Sequence, residues 1–325
     1  MIELDALFQS FNSKRVLIVG DAMIDAYMWG VINRMSPEAD VPVVEVHTHE
    51  NRLGGAANVA LNLKSLGATP ILCSVVGGGE KSALFQKLMN DQQLSTEGIL
   101  IDRKRKTTIK TRIIAKEQHQ VRVDEEDTFP ISEETKFIEL VHSLISNIDV
   151  IILQDYNKGV LTPSVIERVI KMANKDNIPT IVDPKHANFT SYQNCTIFKP
   201  NLPEIKSGLN IDFNANNIEE VKLASEQLRT FLSVKGVLLT LSENGICINT
   251  DNTFLHTKAF KRNIVDISGA GDTVISVAAL LLSSKISLEH LSILSNLAGG
   301  IVCEEVGVVP INKKKLLSEA IKFIN

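Results

Sequence analysis

The feature that most constrains the fold is a regular alternation of apolar and amphipathic segments between residues 135 and 240. Continuous apolar stretches are typical of strands buried on both faces, whereas apolar residues three or four positions apart predict helices. The predicted helices are 135–146, 163–175 and 217–233, and the predicted strands are 150–153, 180–182, 196–199 and 236–240. We therefore expect an α/β protein whose mostly parallel sheet is covered by helices on both faces.

The flanking segments extend this pattern. They comprise strands at 15–19 and 71–76, helices at 56–66, 82–88, 273–283, 288–303 and 313–324, and a hairpin around Gly245. Gly67 is expected to terminate the first of these helices as its C-cap. Two regions, within about 27–50 and 107–125, contain alternating strands that do not fit a doubly wound sheet, and Pro42 suits an edge strand. We expect a small sheet appended as a lid to one domain formed by residues 1–325.

Composition argues against two classes of partner. The net charge of −4 disfavours a nucleic-acid surface, and the basic run at 103–106 is short enough to be a solvated turn. The apolar run after Asp272 is too short to span a bilayer, and the N-terminus lacks the basic region of a signal peptide. Four scattered cysteines without a C-x-x-C pair fit a reducing compartment. These observations predict a cytoplasmic protein without a membrane partner.

The segment 266–273, Asp-Ile-Ser-Gly-Ala-Gly-Asp-Thr, predicts a tight turn that opens a buried helix. Unpaired N–H groups at a helix N-terminus attract anions, and the small residues Gly269, Ala270 and Gly271 let an anion approach the backbone. A carboxylate there would repel phosphate, so Asp272 is better suited to take a proton from a hydroxyl that attacks a phosphoryl group. The segment alone also permits a second interpretation, in which Asp272 is merely the N-cap of the helix.

Polar residues follow several predicted strand ends, and the carboxyl ends of parallel strands meet at one edge of the sheet, where ligands bind. These residues include Asp25, Asp155, Lys158, Asp183, Lys185, Asn201, Glu204, Thr240, Ser242 and Gly245. Each alone is common in loops and helix caps, but together they suit polyol hydroxyls and phosphates. A second glycine-rich element, Gly54-Gly55, opens the helix that carries Asn58, whose amide can both donate to and accept from sugar hydroxyls.

Neither common glycine-rich nucleotide motif occurs in the sequence. The absence of G-x-x-x-x-G-K-[ST] excludes a P-loop enzyme, and no G-x-G-x-x-G follows the first strand, which disfavours a dinucleotide enzyme. Lys110, Arg112 and Arg122 alternate along the strands at 107–114 and 120–124, so they can share one face. Such a cluster could hold a second phosphate on the substrate; an ordinary solvated lid face is the alternative.

Two motifs in combination, Gly-Gly-Ala-Ala-Asn-Val-Ala at 54–60 and the segment 266–273, resemble those of the ribokinase-like (PfkB) carbohydrate kinases, and the match spans nearly the whole chain. The segments 20–25, 34–39 and 155–159 resemble more closely the D-glycero-β-D-manno-heptose-7-phosphate kinases. The resemblance implies a ribokinase-like three-layer α/β/α domain with a mostly parallel sheet and a β-sheet lid that often mediates homodimerisation.

The same resemblance implies ATP with Mg²⁺ as phosphoryl donor and the anomeric hydroxyl of heptose 7-phosphate as acceptor. The product would be the 1,7-bisphosphate, on the way to ADP-heptose for the lipopolysaccharide core. Many members fuse the kinase to a nucleotidyltransferase, whose H-x-G-H motif is absent from this sequence. We therefore expect a stand-alone kinase, with a separate nucleotidyltransferase as a candidate partner.

Position within the matching motifs implies a role for each site residue. Asp272 matches the catalytic base, and Gly269, Ala270 and Gly271 match the anion hole. The residues implied to bind the sugar are Asp25, Gly54, Gly55 and Asn58, with Asp155, Lys158 and Asp183 as further substrate-binding candidates. The candidates for the 7-phosphate are Lys110, Arg112, Arg122 and Lys185.

The donor side is implied in the same way. Asn201 and Glu204 match an N-x-x-E motif that orients the magnesium-bound phosphates, with Glu204 acting on the metal through water. The remaining nucleotide-binding candidates are Thr240, Ser242, Gly245, Asn296 and Gly299. Two positions depart from the family pattern: Gly78-Gly79 replaces a common acidic residue, and Leu241 stands where close relatives often carry Arg.

Two other functions stay open. The chain could phosphorylate another sugar phosphate or a nucleoside, although an unphosphorylated acceptor gives no reason for three lid cations. It could instead be a catalytically silent regulator that binds a sugar or a nucleotide. The presence of Asp272 argues against that interpretation, because a silent binder has no need of a base.

Overall fold

The computed structural model describes residues 3–116 and 118–324. The strands are β1 (Arg15–Gly20), β2 (Ala22–Met35), β3 (Pro42–Gly55), β4 (Thr69–Val76), β5 (Ile99–Ile101), β6 (Ile109–Ala115), β7 (Gln118–Glu125), β8 (Val150–Gln154), β9 (Thr180–Asp183), β10 (Ile197–Phe198), β11 (Gly236–Thr240), β12 (Ile246–Thr250) and β13 (Phe254–Thr257). The helices are α1 (Leu4–Ser10), α2 (Ala56–Ser65), α3 (Glu80–Asp91), α4 (Glu134–Leu144), α5 (Pro163–Lys175), α6 (Leu202–Leu209), α7 (Ile218–Leu232), α8 (Ala270–Ser283), α9 (Leu288–Val302) and α10 (Lys313–Ile324).

Nine strands form one large sheet in the order β13-β12-β11-β10-β9-β8-β1-β4-β5. All neighbouring strands from β11 to β5 run parallel, and only β12 and β13 are antiparallel additions. The hairpin predicted around Gly245 joins β11 to β12. The predicted mostly parallel sheet is therefore confirmed.

Helices cover both faces of this sheet. In β1, Val16 and Ile18 pack into the core formed with α1, α2, α3, α8, α9 and α10, whereas Leu17 and Val19 pack into the core formed with α4, α5, α6 and α7. Because successive side chains of a strand point to opposite faces, a continuous apolar strand serves both cores. The predicted three-layer α/β/α arrangement is confirmed.

The smaller sheet has the order β3-β2-β6-β7. β2 pairs antiparallel with β3 and parallel with β6, so the predicted ribbon is part of a four-stranded lid. The first two lid strands extend beyond the predicted range at both ends. β2 begins at Ala22, directly after Asp21, and β3 continues to Gly55. Pro42 opens the edge strand β3, and Glu117, within the predicted ribbon, lies outside the described residues.

Local differences from the sequence prediction have simple causes. Gly67 ends α2 as expected: its φ is +98°, and the next N–H, of Ala68, donates to the Leu63 carbonyl at 3.0 Å. The strand predicted at 196–199 is reduced to two residues, and the short elements α1, β5, α6 and β13 were not predicted. Arg105, expected in a solvated turn, is 7% exposed and donates to the Lys158 carbonyl.

Two further findings concern the helices and the cysteines. Within 3–116 and 118–324, the helices are all too short or too polar to cross a membrane. Cys73, Cys195, Cys247 and Cys303 are free and buried.

Candidate active site

The N-terminus of α8 holds the residues predicted to bind the transferring phosphoryl group. Gly269 is the N-cap with a φ of +80°, a left-handed conformation that glycine adopts without strain. Ala270, Gly271 and Asp272 follow as the first three helical residues, so the interpretation of Asp272 as the N-cap is wrong. The N–H groups of a first helical turn lack intrahelical partners, so those of Gly271 and Asp272 can be offered to an anion, whereas the Ala270 N–H donates to the Ile267 carbonyl at 3.3 Å.

The Asp272 carboxylate is only 4% exposed and accepts three hydrogen bonds from other elements. The Asn58 Nδ2 donates to Oδ2 at 2.7 Å, and the Tyr156 hydroxyl and Gln154 Nε2 donate to Oδ1 at 2.7 and 3.1 Å. Burial raises the pKa of Asp272 to about 6, although the bonds from Asn58 and Tyr156 oppose this rise. A carboxylate of this kind is ionised at neutral pH and is a stronger base than an exposed aspartate.

Gln154 was missed by the sequence analysis, and Tyr156 entered it only as part of the segment 155–159, without a role of its own. Both flank Asp155 at the end of β8, and their position after a buried strand was the only available signal. Their contact with Asp272 depends on β8 packing beside α8, which the sequence does not reveal.

Two carboxylates at the same edge bind the protein's own backbone and side chains. Asp21 accepts from the N–H groups of Tyr156, Lys158 and Val160 at 2.8–3.1 Å, and burial raises its pKa to about 6. Asp155 Oδ1 accepts from the Asn157 N–H, and Asp155 Oδ2 accepts from the buried Tyr192 hydroxyl, both at 2.7 Å. Both carboxylates fix the loop after β8, and a substrate contact by Asp155 stays a prediction.

Asp183 lies beside the Gly269-Ala270-Gly271 turn. Its Oδ1 is 3.1 Å from Lys199 Nζ, and both side chains are buried. A Cβ placed on Gly271 would lie 3.6 Å from Asp183 Oδ2 and 4.0 Å from Lys199 Nζ. Lys199 thus brings a buried positive charge to this turn, and it too was missed, because a lysine after a two-residue strand has no distinctive pattern.

The sugar-binding candidates meet where the lid joins the large sheet. Asp25 is 4% exposed and forms an ion pair with Arg112 of the neighbouring strand β6. A Cβ on Gly54 would overlap Asp25 Oδ2, so only glycine allows this carboxylate to lie against β3. Gly55, with a φ of +59°, is the N-cap of α2, the helix that carries Asn58.

The lid cations share one face, as the alternation predicted. The β6–β7 register sets Arg112 opposite Arg122 and Lys110 opposite Asp124. Lys110 Nζ lies 3.3 Å from both Asp124 and Glu126. Further ion pairs join Arg122 to Asp124 at 2.9 Å and Lys158 to Glu126 at 2.8 Å. With Arg112 and Asp25 included, four cations face three carboxylates, and a phosphate would have to replace some of these partners.

Asn201 and Glu204 form a capping box at the start of α6. Asn201 Oδ1 accepts from the Glu204 N–H, and Glu204 Oε2 accepts from the Asn201 N–H, both at 2.9 Å. The remaining oxygen, Oε1, accepts from Lys185 Nζ at 2.6 Å. Lys185 therefore lies with the N-x-x-E motif rather than with the lid cations, and its predicted contact with the 7-phosphate stays a prediction.

The Asn201 and Glu204 side chains are compatible with a hydrated magnesium ion. The described ranges contain no group of three or more His, Cys, Asp or Glu side chains placed to hold a metal. Mg²⁺ commonly keeps several waters and takes one or two carboxylates together with substrate phosphates. Glu204, whose oxygens both have protein partners, suits a contact made through water.

The predicted nucleotide-binding residues lie on two neighbouring elements. Thr240 bridges to Asn201 at the end of β11, and Ser242 and Gly245 form the β11–β12 turn with φ values of +52° and +89°. Asn296 of α9 donates to the Lys258 carbonyl at 2.8 Å. Gly299 is buried, and a Cβ there would lie 2.8 Å from Val274 Cγ2, so its clearest function is the close packing of α9 on α8.

The two departures from the family pattern have structural explanations. Gly79 is the N-cap of α3 with a φ of +85°, and a Cβ on Gly78 would lie 3.3 Å from Arg103 Cγ. Leu241 is 1% exposed and packs in the core beneath α4–α7, so its side chain points away from solvent.

The nine-stranded α/β/α sheet, the lid and a buried aspartate at the start of a Gly-Ala-Gly helix together define a ribokinase-like fold with a phosphoryl-transfer type of site. The sequence pattern of the pfkB family carbohydrate kinases matches residues 13–315. The chain belongs to this family, whose members are phosphotransferases with an alcohol group as acceptor. The resemblance inferred from the two motifs is thereby confirmed.

Relatives that are 36–37% identical to this chain are named bifunctional protein HldE. The protein from Citrifermentans bemidjiense is 36% identical over 98% of this chain and 65% of its own length. The protein from Helicobacter pylori strain J99 is 37% identical over 90% of this chain and 64% of its own length. This chain therefore spans a little under two thirds of the length of these relatives.

Solved structures agree on the fold. Phosphofructokinase-2 from Escherichia coli in complex with potassium has a TM-score of 0.81 at 16% identity, with 96% of this chain and 99% of that chain covered. Ribokinase from Arabidopsis thaliana complexed with ribose and ATP has a TM-score of 0.71 at 17% identity, with 94% and 98% covered. The ribokinase-like fold expected from the sequence is confirmed.

Proposed function

We propose that this chain is an ATP-dependent kinase that phosphorylates the anomeric hydroxyl of D-glycero-β-D-manno-heptose 7-phosphate. The product is the 1,7-bisphosphate, which leads to ADP-heptose and the lipopolysaccharide core. Family membership supports a carbohydrate acceptor, and the similarity to proteins named HldE over 98% of the chain supports this member of the family. The proposal includes one kinase domain, formed by residues 1–325, that acts in the cytoplasm.

One observation carries the proposal: Asp272 is buried at the third position of α8, directly after the small residues that leave the helix N-terminus open. In the proposed reaction, an Asp272 oxygen takes the proton of the acceptor hydroxyl. The hydroxyl oxygen forms a new bond to the γ-phosphorus, the bond from that phosphorus to the bridging oxygen breaks, and ADP leaves. The N–H groups of the α8 turn and the charge of Lys199 stabilise the transferring group.

The donor side follows from the N-x-x-E motif. Asn201 and Glu204 would hold the water shell of Mg²⁺ beside the ATP phosphates, and Glu204 Oε1 accepts from Lys185 Nζ at 2.6 Å. Lys185 is kept as a candidate for the 7-phosphate of the acceptor. When bound, Mg²⁺ would neutralise part of the negative charge of the phosphates. The β11–β12 turn with Thr240, Ser242 and Gly245, and the α9 residues Asn296 and Gly299, are proposed to line the nucleotide.

The acceptor side follows from the lid base. Asp25, Gly54, Gly55 and Asn58 are proposed to bind the sugar, with Asp155, Lys158 and Asp183 nearby. Lys110, Arg112 and Arg122 would exchange part of their carboxylate partners for the 7-phosphate. The excess of one cation in this group, four against three, supports an anionic ligand.

A homodimer through the lid is part of this proposal. Val31, Met35, Val41, Val46 and Val121 are exposed apolar residues of the lid region, each with 38–51% of its surface accessible. Exposed apolar groups on one sheet suit a protein interface better than solvent. A separate nucleotidyltransferase, acting on the later product, is the other proposed partner.

The test is ATP-dependent release of ADP with a panel of acceptors. The panel contains D-glycero-β-D-manno-heptose 7-phosphate, the unphosphorylated heptose, fructose 6-phosphate, ribose and adenosine. Turnover with heptose 7-phosphate alone is the expected result. Turnover with another sugar phosphate or a nucleoside would replace the acceptor, and ATP binding without any turnover would favour the non-catalytic regulator.

A further inference from the structure

Gln154 occupies an unusual position between two carboxylates. Its Nε2 lies 3.1 Å from Asp272 Oδ1 and 3.2 Å from Asp183 Oδ2, and the side chain is 1% exposed. Because a carboxylate accepts but cannot donate, both contacts require the NH₂ end of the amide to face the two aspartates. The orientation of this side chain is therefore determined by its surroundings.

The carbonyl end of the Gln154 amide has no comparable hydrogen bond among the described residues. Within the described residues, Gln154 Oε1 is buried without a hydrogen-bond partner. A buried unpaired carbonyl destabilises a fold, and such cases call for an explanation beyond packing. A shorter or apolar side chain at the end of β8 would avoid this penalty, so the benefit lies at the NH₂ end.

We propose that Gln154 is a positioning residue, whose NH₂ group keeps Asp272 ionised and correctly oriented by donating to Asp272 and Asp183 together. The bridge separates two negative charges that would otherwise repel each other, and it ties the base to the ion pair between Asp183 and Lys199. The inference rests on the proposed function in one respect only, because it assumes that Asp272 acts as the base.

The other groups around Asp272 define what the test must separate. The charged groups are Asp183 at the end of β9 and Lys199 directly after β10, which respectively raise and lower the pKa of Asp272. Tyr156 after β8 and Asn58 on α2 donate hydrogen bonds to Asp272. Burial is the largest cause of its raised pKa. Removal of the Gln154 donor leaves all of these in place and removes a bond to the ionised form alone.

The experiment compares Gln154→Leu with wild type by ¹³C NMR of the full chain labelled at the aspartate carboxyl carbons. Asp272→Asn assigns the Asp272 signal. The titration midpoint of Asp272 should rise by about one pH unit in Gln154→Leu, since bonds to charged groups are strong and one unit corresponds to about 1.4 kcal/mol. This readout needs no substrate, so it remains valid if the proposed acceptor is wrong.

Asn249→Leu is the matched control, because Asn249 is another buried amide, bound to Ser225 and the Lys222 carbonyl away from the site. It should leave the Asp272 midpoint unchanged. Gln154→Glu provides a second variant if Gln154→Leu does not fold, and a third carboxyl group should raise the midpoint further. An unchanged midpoint in a folded Gln154 variant would overturn the proposal, even for an active kinase.

With an acceptor that turns over, the acidic limb of the pH–rate profile should move upward by the same amount in Gln154→Leu. A uniform loss of rate at every pH, with no shift of that limb, would assign Gln154 to packing and contradict the proposal.

Discussion

The Asn58 side-chain amide donates a 2.7 Å hydrogen bond to Asp272 Oδ2, across 214 positions of sequence. Asn58 follows the Gly54-Gly55 turn, and Asp272 follows the Gly269-Ala270-Gly271 turn. The two glycine-rich elements that seemed independent in the sequence therefore meet at a single carboxylate. The element assigned to the sugar and the element assigned to the phosphoryl group are in direct contact through this bond.

Asp272→Asn should lose about two to four orders of magnitude in kcat, since general base catalysis contributes about 10²–10⁴-fold. Affinity for a non-hydrolysable ATP analogue, measured by calorimetry, should change little. Asp149→Asn is a suitable control, because Asp149 binds the Arg15 N–H at the opposite end of the sheet. An Asp272→Asn enzyme with nearly normal kcat would exclude the proposed mechanism.

Turnover should depend on pH through Asp272. Because its pKa is raised to about 6, the value of kcat/KM should fall about tenfold per unit below pH 6 and level off above it. A profile measured between pH 4.5 and 8 tests this. An acidic limb centred near pH 4 would indicate an exposed carboxylate as the base.

Stability should respond to the same group with a defined sign. A carboxyl whose pKa is raised on folding stabilises the protein fully below about pH 4, and this contribution is lost as the pH rises through 6. The unfolding free energy of Asp272→Asn relative to wild type should therefore increase between pH 4.5 and 8, by about 2–3 kcal/mol. Urea denaturation at several pH values measures it, and a pH-independent difference would contradict the expectation.

Arg122→Gln should weaken binding of a phosphorylated acceptor. Loss of one charge-assisted contact corresponds to a rise of roughly 10- to 100-fold in the KM for heptose 7-phosphate, with the KM for ATP unchanged. Arg168→Gln, on the exposed surface of α5, is the matched control. Equal effects of both substitutions would exclude a specific phosphate contact at the lid.

Gly299→Ala separates packing from nucleotide binding. A Cβ there would approach Val274 Cγ2 to 2.8 Å, so we expect a loss of about 1–3 kcal/mol in unfolding free energy. The KM for ATP should stay within about twofold if Gly299 acts through packing alone. A large rise in that KM without loss of stability would instead support the predicted nucleotide contact.

The large sheet could be predicted because its strands are buried on both faces and carry continuous apolar residues, such as 150–153. The turn before α8 could be predicted because small residues directly before a long apolar run are typical of a tight turn that opens a buried helix. The start of β2 could not, since Ala22–Met35 mixes polar, aromatic and small residues and is held extended by tertiary pairing with β3 and β6.

The surroundings of Asp272 were beyond sequence reasoning for a different reason. Gln154, Tyr156 and Lys199 come from β8 and β10, and their convergence depends on how these strands pack against α8. The burial of Leu241 is a tertiary effect as well, because a residue after a strand end can face either the core or the solvent.

The lid hairpin is built into the site rather than attached to it. β2 and β3 are paired from Ala22 and Gly55 to Met35 and Pro42, so their base lies at the sugar-binding candidates and their tip lies about 45 Å away. The length of this ribbon amplifies any rotation at its base. A tilt of 10° would carry the tip through about 8 Å while the base moved by a fraction of an ångström. If the proposed second copy of the chain held the tip, it would therefore limit rotation of β2, the strand that carries Asp25.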